Sequence, residues 1–591
     1  MSKDLLLSVR EMTVQFDERT VVDDLSFDVA AGEIVALVGE SGSGKTLAAR
    51  ALLGLLPFGA KVTGGAARFR GADLLALGGP ELRQVRGAGI GMIFQEPMTS
   101  LDPSMTFGKQ LGEGLKLHFN LSDAECRERS LDMLAKVRIA DPAAALDSYP
   151  HRFSGGMRQR ISIASAMLLK PALLLADEPT TALDVLVQKE VLDLIVALTR
   201  DAGTGVLLIT HDLGLVAEYA ARVVVMRHGR VVEAGATAAL LAAPKEDYTR
   251  ALLAAVPRRG ARETVPVLGD ELLRITDLHV RFPGRRTLPW RPAPPVRPVD
   301  GVSLSLRRGE TLAVVGESGS GKTTLVRSVL RLVDIASGSI SLDGVEVTDL
   351  GRSALRDYRK RVRIVFQDPF SALDPRLRVG DVVAEGLRHE RGLSGADRDT
   401  RVAAILDEVG LGSDFLRRFP HQLSGGQRQR VNIARALIAD PEQVIADEPV
   451  SALDVTVQAE ILRLFARLQA ARGFTCLFIT HALGVVEQIA DRVAVIHRGR
   501  IVEEGSRDDI FDDPRHPYTC ALLRAAPRIE ADDEGGGGYH LAPYPAQSPP
   551  PPSGFAYSPW ETSVFDVVPT LVDVAPGHRV AVISTTESQT P

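Results

Sequence analysis

The chain has 591 residues, 45% hydrophobic and 24% charged, which is ample for several packed cores and excludes global disorder. Its net charge of −6 runs against a protein that grips phosphate backbones over a broad basic surface. The three scattered cysteines (Cys126, Cys476, Cys520) build no disulfide framework or thiolate metal cluster. No run approaches the ~20 apolar residues that cross a bilayer, and MSKDLLLSVREM is too polar for a signal peptide.

In chain order, IVALVG predicts a short buried strand that ends in the glycine-rich loop GESGSGKT, starting at Gly39. IGMIFQ predicts a second strand, ending at Gln95. The segment GMRQRISIASAMLLK after Ser154 has helical periodicity and stops at Pro171, and ALLLADE then ends in Asp177 and Glu178. GVLLITH ends at His211. Such short apolar runs without alternation suit strands covered on both faces of a parallel sheet. Functional residues at their carboxyl ends stand where open α/β sheets bind ligands.

The same series then recurs. GESGSGKT returns at Gly316, an offset of 277, and FQEPMTSLDP (from Phe94) returns as FQDPFSALDP (from Phe366), an offset of 272. FSGGMRQR and LSGGQRQR, ADEPTTALDV and ADEPVSALDV, and ITHDLG and ITHALG all lie 270 apart. The expectation is two copies of one large α/β domain, over residues 4–258 and 271–528, joined by a linker at 259–270. Copy two carries an extra proline-rich stretch, 283–298, including Trp290, expected as an extended surface loop. Residues 529–591 are expected as a flexible Gly/Pro-rich tail ending in a short extension with room for a strand or two.

GESGSGKT fits G-x-x-x-x-G-K-[ST], the phosphate-binding loop. Gly39, Gly42 and Gly44 let backbone N–H groups converge on phosphate oxygens, Lys45 adds a point charge, and Thr46 offers a hydroxyl to Mg²⁺. Gly316, Gly319, Gly321, Lys322 and Thr323 repeat the pattern. The intervening Glu40, Ser41 and Ser43, and Glu317, Ser318 and Ser320, complete the two loops. Asp177 and Asp447 end buried strands, where a carboxylate is costly unless it faces a cation or water, so both are candidate Mg²⁺ ligands. Glu178 and Glu448 come next, in reach of a water attacking the γ-phosphate. Gln95 and Gln367 are candidate sensors of metal and γ-phosphate, and His211 and His481 follow a fourth strand. Ser154 and Ser424 are plausible helix caps, and the glycines after them leave N–H groups open to an anion.

With these motifs in order and twice over, the chain resembles the ATPase component of an ATP-binding-cassette (ABC) transporter from residue 4 to 528. The resemblance implies two P-loop NTPase domains, each with a mainly parallel core sheet, an antiparallel β subdomain and a helical signature subdomain. It implies head-to-tail pairing, with ATP on Lys45 covered by the signature Ser424, Gly425, Gly426 and Gln427, and ATP on Lys322 by Ser154, Gly155, Gly156 and Met157. The D-loop residues Asp184 and Asp454 would meet across that pairing. Phe16, 23 residues before Gly39, resembles the aromatic that stacks on adenine, and Phe282 looks equivalent; a core strand role is equally open for both.

A narrower likeness joins FSGGMRQR and FQEPMTSLDP to the first, and LSGGQRQR and FQDPFSALDPR to the second, ATPase subunit of the oligopeptide/dipeptide importer family. DYTRALLAAVP, HPYTCALLRAAP and PTLVDVAPGHRVAV resemble that family's C-terminal extension. The expected cofactors are ATP and Mg²⁺. An iron–sulfur cluster, carried by several relatives, is not expected, because the segment Gly554–Trp560 has no cysteine and Val582 stands where one is common. Ala482 departs from the pattern represented by Asp212 in copy one. The expected partners are two membrane permeases, contacted through residues 98–110 and 370–380, and a substrate-binding protein, with the chain peripheral on the cytoplasmic side of the membrane and no nucleic acid bound. Two alternatives stay open: a tandem ATPase acting on ribosomes or DNA, disfavoured by the short linker without heptads and the few cysteines, and an exporter ATPase.

Overall fold

The structure, a computed structural model, describes residues 5–95, 100–181, 183–257, 259, 268–284, 295–388, 390, 392–451, 453–532, 538–544, 547–559 and 569–584. These fall into two compact units. The first takes residues 1–256, 454–456 and 527–542, and the second takes 257–453, 457–526 and 543–591.

In the first unit, an antiparallel sheet is formed by β1 (Leu5–Phe16), β2 (Arg19–Ala30), β4 (Ala60–Phe69) and β5 (Ala72–Asp73), in the order β2-β1-β4-β5. The core sheet uses β3 (Ile34–Val38), β6 (Ile90–Ile93), β7 (Leu173–Asp177), β8 (Gly205–Ile209), β9 (Arg222–Arg227) and β10 (Arg230–Ala236), in the order β10-β9-β3-β8-β7-β6. All of its pairings are parallel except β9 with β10. Leu173, Leu174, Leu175 and Ala176 are all fully buried. Covering both faces of the strand in this way is worth roughly 1.5–3 kcal/mol for each large side chain, which explains why these runs lack polar alternation. Helices from 107 to 146 and the helix Gly155–Met167 enclose a second cluster around Phe107, Leu134 and Ile163.

The second unit repeats the plan. β11 (Glu271–Phe282), β12 (Val296–Arg307), β14 (Ser337–Leu342) and β15 (Val345–Glu346) form its antiparallel sheet, in the order β12-β11-β14-β15. β13 (Thr311–Val315), β16 (Val362–Val365), β17 (Gln443–Asp447), β18 (Thr475–Thr480), β19 (Arg492–His497) and β20 (Arg500–Ser506) form the core sheet, in the order β16-β17-β18-β13-β19-β20. Two details differ from the sequence expectation. The proline-rich stretch does not remain a loop to residue 298: Val296, Arg297 and Pro298 already belong to β12, which lies at the edge of its sheet, where a proline without an N–H is tolerated. Of the remainder, 285–294 with Trp290 lies outside the described residues.

The tail is more structured than a flexible tether. β21 (Ile529–Ala531) and β22 (Tyr539–Leu541) form a two-stranded ribbon within the first unit, where Ile529 joins the cluster of Leu213, Val216 and Leu240. β23 (Phe555–Tyr557), β24 (Thr570–Ala575) and β25 (His578–Ser584) extend the second unit's core sheet, with β25 paired antiparallel to β20. Buried Val580, Ala581 and Val582 supply the apolar face that so short a segment lacks alone.

Candidate functional site

Each glycine-rich loop leaves the carboxyl end of the central strand, β3 or β13. The helices Lys45–Leu52 and Lys322–Val329 begin there with left-handed Gly44 (φ 96°) and Gly321 (φ 109°) at the N-cap and no side-chain cap. A Cβ at Gly44 would meet Val21 O at 2.9 Å, and one at Gly321 would meet Pro298 O at 2.0 Å. Gly42 (φ 78°) and Gly319 (φ 81°) differ, because nothing lies within 4 Å of a Cβ placed there; backbone conformation alone selects glycine at these two. The uncapped N–H groups and the positive end of the helix dipole form an anion cradle.

Lys45 is buried, and its Nζ donates to Gly39 O and Glu40 O, both at 2.8 Å. Burial pushes its pKa down, against the pull of Glu178 and Asp177. Lys322 Nζ donates in the same way to Gly316 O (2.6 Å) and Glu317 O (2.7 Å). Thr46 Oγ1 donates to Asp177 Oδ1 at 2.9 Å, while Asp177 Oδ2 is buried without a hydrogen-bond partner. In the second unit it is Asp447 Oδ1 that is buried without one. Burial raises both carboxyls: Asp177 is restrained by the Thr46 hydroxyl, and Asp447, with Glu448 adding to the rise, reaches about 6.

Glu178 and Glu448 follow these aspartates in left-handed backbone, φ 46° and 45°, a conformation that costs a non-glycine residue of the order of 1 kcal/mol or more. Their N–H groups bond Ile209 O and Ile479 O, both at 2.9 Å, holding each turn against the next strand. Glu178 Oε2 accepts from Gln95 Nε2 (2.9 Å) and Thr181 Oγ1 (2.9 Å), and Oε1 faces His211 Nδ1 at 3.2 Å. Glu448 has Gln367 Nε2 at 2.7 Å and His481 Nδ1 at 3.1 Å. Burial works to raise Glu178, but the His211 bond and charge, the Thr181 hydroxyl and Lys45 together bring it down to about 2. The bond to Glu178 in turn raises His211, against burial. Glu448 is lowered against burial by His481 and Lys322. Each unit thus gathers an ionised carboxylate, a glutamine and a histidine beside a phosphate cradle.

The signature helices Gly155–Met167 and Gly425–Leu437 are capped by Ser154 and Ser424, whose hydroxyls accept from Met157 N and Gln427 N. Gln427 closes a capping box by accepting from Ser424 N at 3.0 Å; Met157 has no such group and is 41% exposed. Asp184 caps the helix Val185–Ala202 through Val187 N, and Asp454 precedes the helix Val455–Arg472. Phe16 and Phe282 end β1 and β11, both partly exposed. Met98, at the start of the expected permease-facing stretch, lies outside the described residues, as does Trp560. Sequence reasoning missed Thr181 and two tyrosines, Tyr248 and Tyr518, whose hydroxyls accept from Glu40 N (3.2 Å) and Glu317 N (3.1 Å). The signal for the tyrosines was their recurrence at the common 270-residue offset.

Fold and site together define a tandem P-loop ATPase. The ABC transporter family model matches residues 22–181 and 299–451, and the chain belongs to that family. The model for the oligopeptide/dipeptide transporter C-terminal region matches twice more, at 232–286 and 502–551, so each cassette is followed by its own copy of that region. The chain is 47% identical over 537 residues to the peptidoglycan transport ATP-binding protein YejF of Agrobacterium fabrum, covering 89% of this chain and 97% of that protein. It is 44% identical to the glutathione import ATP-binding protein GsiA of Pectobacterium atrosepticum (88% and 89% covered) and of Escherichia coli strain K12 (89% and 90%). As an ABC ATPase, the chain hydrolyses ATP to ADP and phosphate to power transport.

Proposed function

We propose that the chain is the energy-coupling subunit of an ABC importer for peptides or related small solutes. It would work on the cytoplasmic side of the membrane with two permeases and an extracytoplasmic substrate-binding protein. The observation that carries this reading is the C-terminal region of the oligopeptide/dipeptide transporters, matched after both cassettes. Relatives named for peptidoglycan transport and glutathione import support the same solute class. Among the described residues no helix is long and apolar enough to cross a membrane; in this reading the transmembrane path is formed by the permeases.

In this reading two ATP molecules bind, one at Lys45 and Thr46 and one at Lys322 and Thr323, with Phe16 and Phe282 stacking on the adenines. Each is covered by the other cassette's signature, Ser424–Gln427 over the first and Ser154–Met157 over the second, with Asp184 and Asp454 facing each other. The partnerless oxygens of Asp177, beside the Thr46 hydroxyl, and of Asp447 suit a hard divalent cation, with Gln95 and Gln367 on the neighbouring glutamates. Magnesium bound with ATP would supply charge neutralisation at the phosphates. Glu178 and Glu448, ionised at neutral pH, orient the attacking water and take its proton, and His211 and His481 hold the carboxylates in place.

Purification of the tagged full chain from detergent-solubilised membranes tests the reading. Two polytopic membrane proteins in near-equal amounts are the expected companions; ribosomes or DNA in their place would overturn it.

A further inference from the structure

The helices Asp247–Ala254 and Pro517–Ala525 follow the two cassettes and fall inside the regions matched by the oligopeptide/dipeptide C-terminal model. Each buries one tyrosine, Tyr248 or Tyr518, against its own cassette. The bonds these tyrosines make share one geometry. The N–H that Tyr248 accepts, that of Glu40, belongs to the Gly39–Glu40 peptide, whose carbonyl accepts from Lys45 Nζ. The Gly316–Glu317 peptide is held in the same way between Tyr518 and Lys322. One peptide plane is therefore gripped at both ends, by a phenol on one side and by the phosphate-binding lysine on the other.

The surroundings leave that plane little room. A Cβ at Gly39 would stand 2.2 Å from Met226 O, and one at Gly316 would stand 2.2 Å from Ile496 O, so the loop is pressed against β9 or β19. The last residue of the same strand holds the tyrosine ring. The Arg227 guanidinium lies 4.8 Å from the Tyr248 ring centre, and the His497 and Tyr518 ring centroids are 4.2 Å apart. A phenol suits the task because its rigid ring packs in a core while its oxygen accepts at the tip. Phenylalanine would keep the packing and remove the acceptor of a part-buried N–H.

We infer that Tyr248 and Tyr518 are positioning residues for nucleotide binding, orienting the first peptide of each P-loop and through it the lysine amine that meets the phosphates. The inference rests on the reading of these loops as the ATP sites, and it gives the C-terminal extension a direct hold on each of them.

The test uses the full chain and a fluorescent ATP analogue with Mg²⁺. Tyr248→Phe is measured in a Lys322→Ala background and Tyr518→Phe in a Lys45→Ala background, so that each site is read alone. Each substitution should weaken binding about tenfold at its own site while nucleotide-free melting stays within about 2 °C. In the otherwise unmodified chain the double variant should raise KM more than it lowers kcat. Combined with the lysine of its own cassette, Tyr248→Phe with Lys45→Ala, the tyrosine change should add nothing. Unchanged affinity overturns the inference, as does a loss matched by Tyr219→Phe, a tyrosine bonded instead to Asp193. If the unmodified chain fails to bind the analogue, or binds it equally with both lysines removed, the nucleotide-site reading itself fails and the inference with it.

Discussion

The two cassettes share a fold and a set of site residues but differ at one sheet edge. In the first unit β10 is the edge strand and most of its residues are partly or fully exposed; in the second the equivalent β20 is buried almost throughout beneath β25. The residues change with the covering. Glu233 receives the N–H groups of Lys245 and Glu246, and its counterpart Glu503 receives those of Arg515 and His516 and in addition faces the buried His578 at 2.8 Å. Ala234 is replaced by Glu504, which pairs with Arg492 and Arg579, and Ala217 by Glu487, whose carboxylate accepts from Tyr544. His516, pressed down to about 3 by burial and by His497, stays neutral; its Nδ1 caps its helix while Nε2 meets Ser558. Buried polar groups therefore mark where β25 docks on the second unit, and Ala234 stands on the first unit's uncovered edge, while Ala217 packs instead beside the ribbon residues Ile529 and Tyr539.

The strongest test of the likeness between cassettes is chemical. Changing both Glu178 and Glu448 to Gln should lower ATP turnover by about 10²–10⁴-fold, and each single change should remove at least half of it. If either single variant turned over at the full rate in a phosphate-release assay, the two sites would not both be active. The next test addresses the covered edge. His578→Ala leaves Glu503 buried with only its backbone donors, and should cost the second unit about 3 kcal/mol, read as an earlier melting transition, with no change in the first.

The paired aspartates separate the cassettes by pH. Asp447, raised to about 6, ionises near 4 in the unfolded chain. Folding therefore takes up a proton between those values, and stability falls as pH rises through the window. In EDTA, Asp447→Asn should recover up to about 3 kcal/mol at pH 7.5, about half of that at pH 5 and little at pH 3.5. The corresponding gain for Asp177→Asn should be smaller, because Thr46 already bonds its carboxylate. The smallest effect is at a helix start. Asp212 caps the helix Leu213–Tyr219 through Gly214 N, while Ala482 leaves the helix Leu483–Ile489 uncapped. Asp212→Ala should cost about 1 kcal/mol and Ala482→Asp should return a similar amount, both read by melting.

Much of this was legible in the sequence. The central strands and their carboxyl-terminal residues announce themselves because a strand buried on both faces has no choice but an unbroken apolar run, and because Lys45, Asp177, Glu178 and His211 recur in fixed order. What stayed hidden depends on partners distant in sequence. Val580–Val582 reads as a weak fragment until β20 lies beside it, and Tyr248, alone in an amphipathic helix, reads as core until its hydroxyl is seen against Glu40. Thr181 was invisible for a simpler reason. The repeat keeps a hydroxyl there, Ser451, which bonds the Glu448 carbonyl and helps lower its carboxyl, but a lone Ser or Thr in a turn reads as a local cap.

The left-handed backbone at Glu178 and Glu448 sets folding and chemistry against each other at the same two positions. Glycine at either site would relax the turn and is the residue that a search for stability alone would select. It would also delete the carboxylate. Redesign of this chain guided by stability alone would thus tend to erase its own active sites, and a variant that melts later while losing turnover would be the expected mark of that trade.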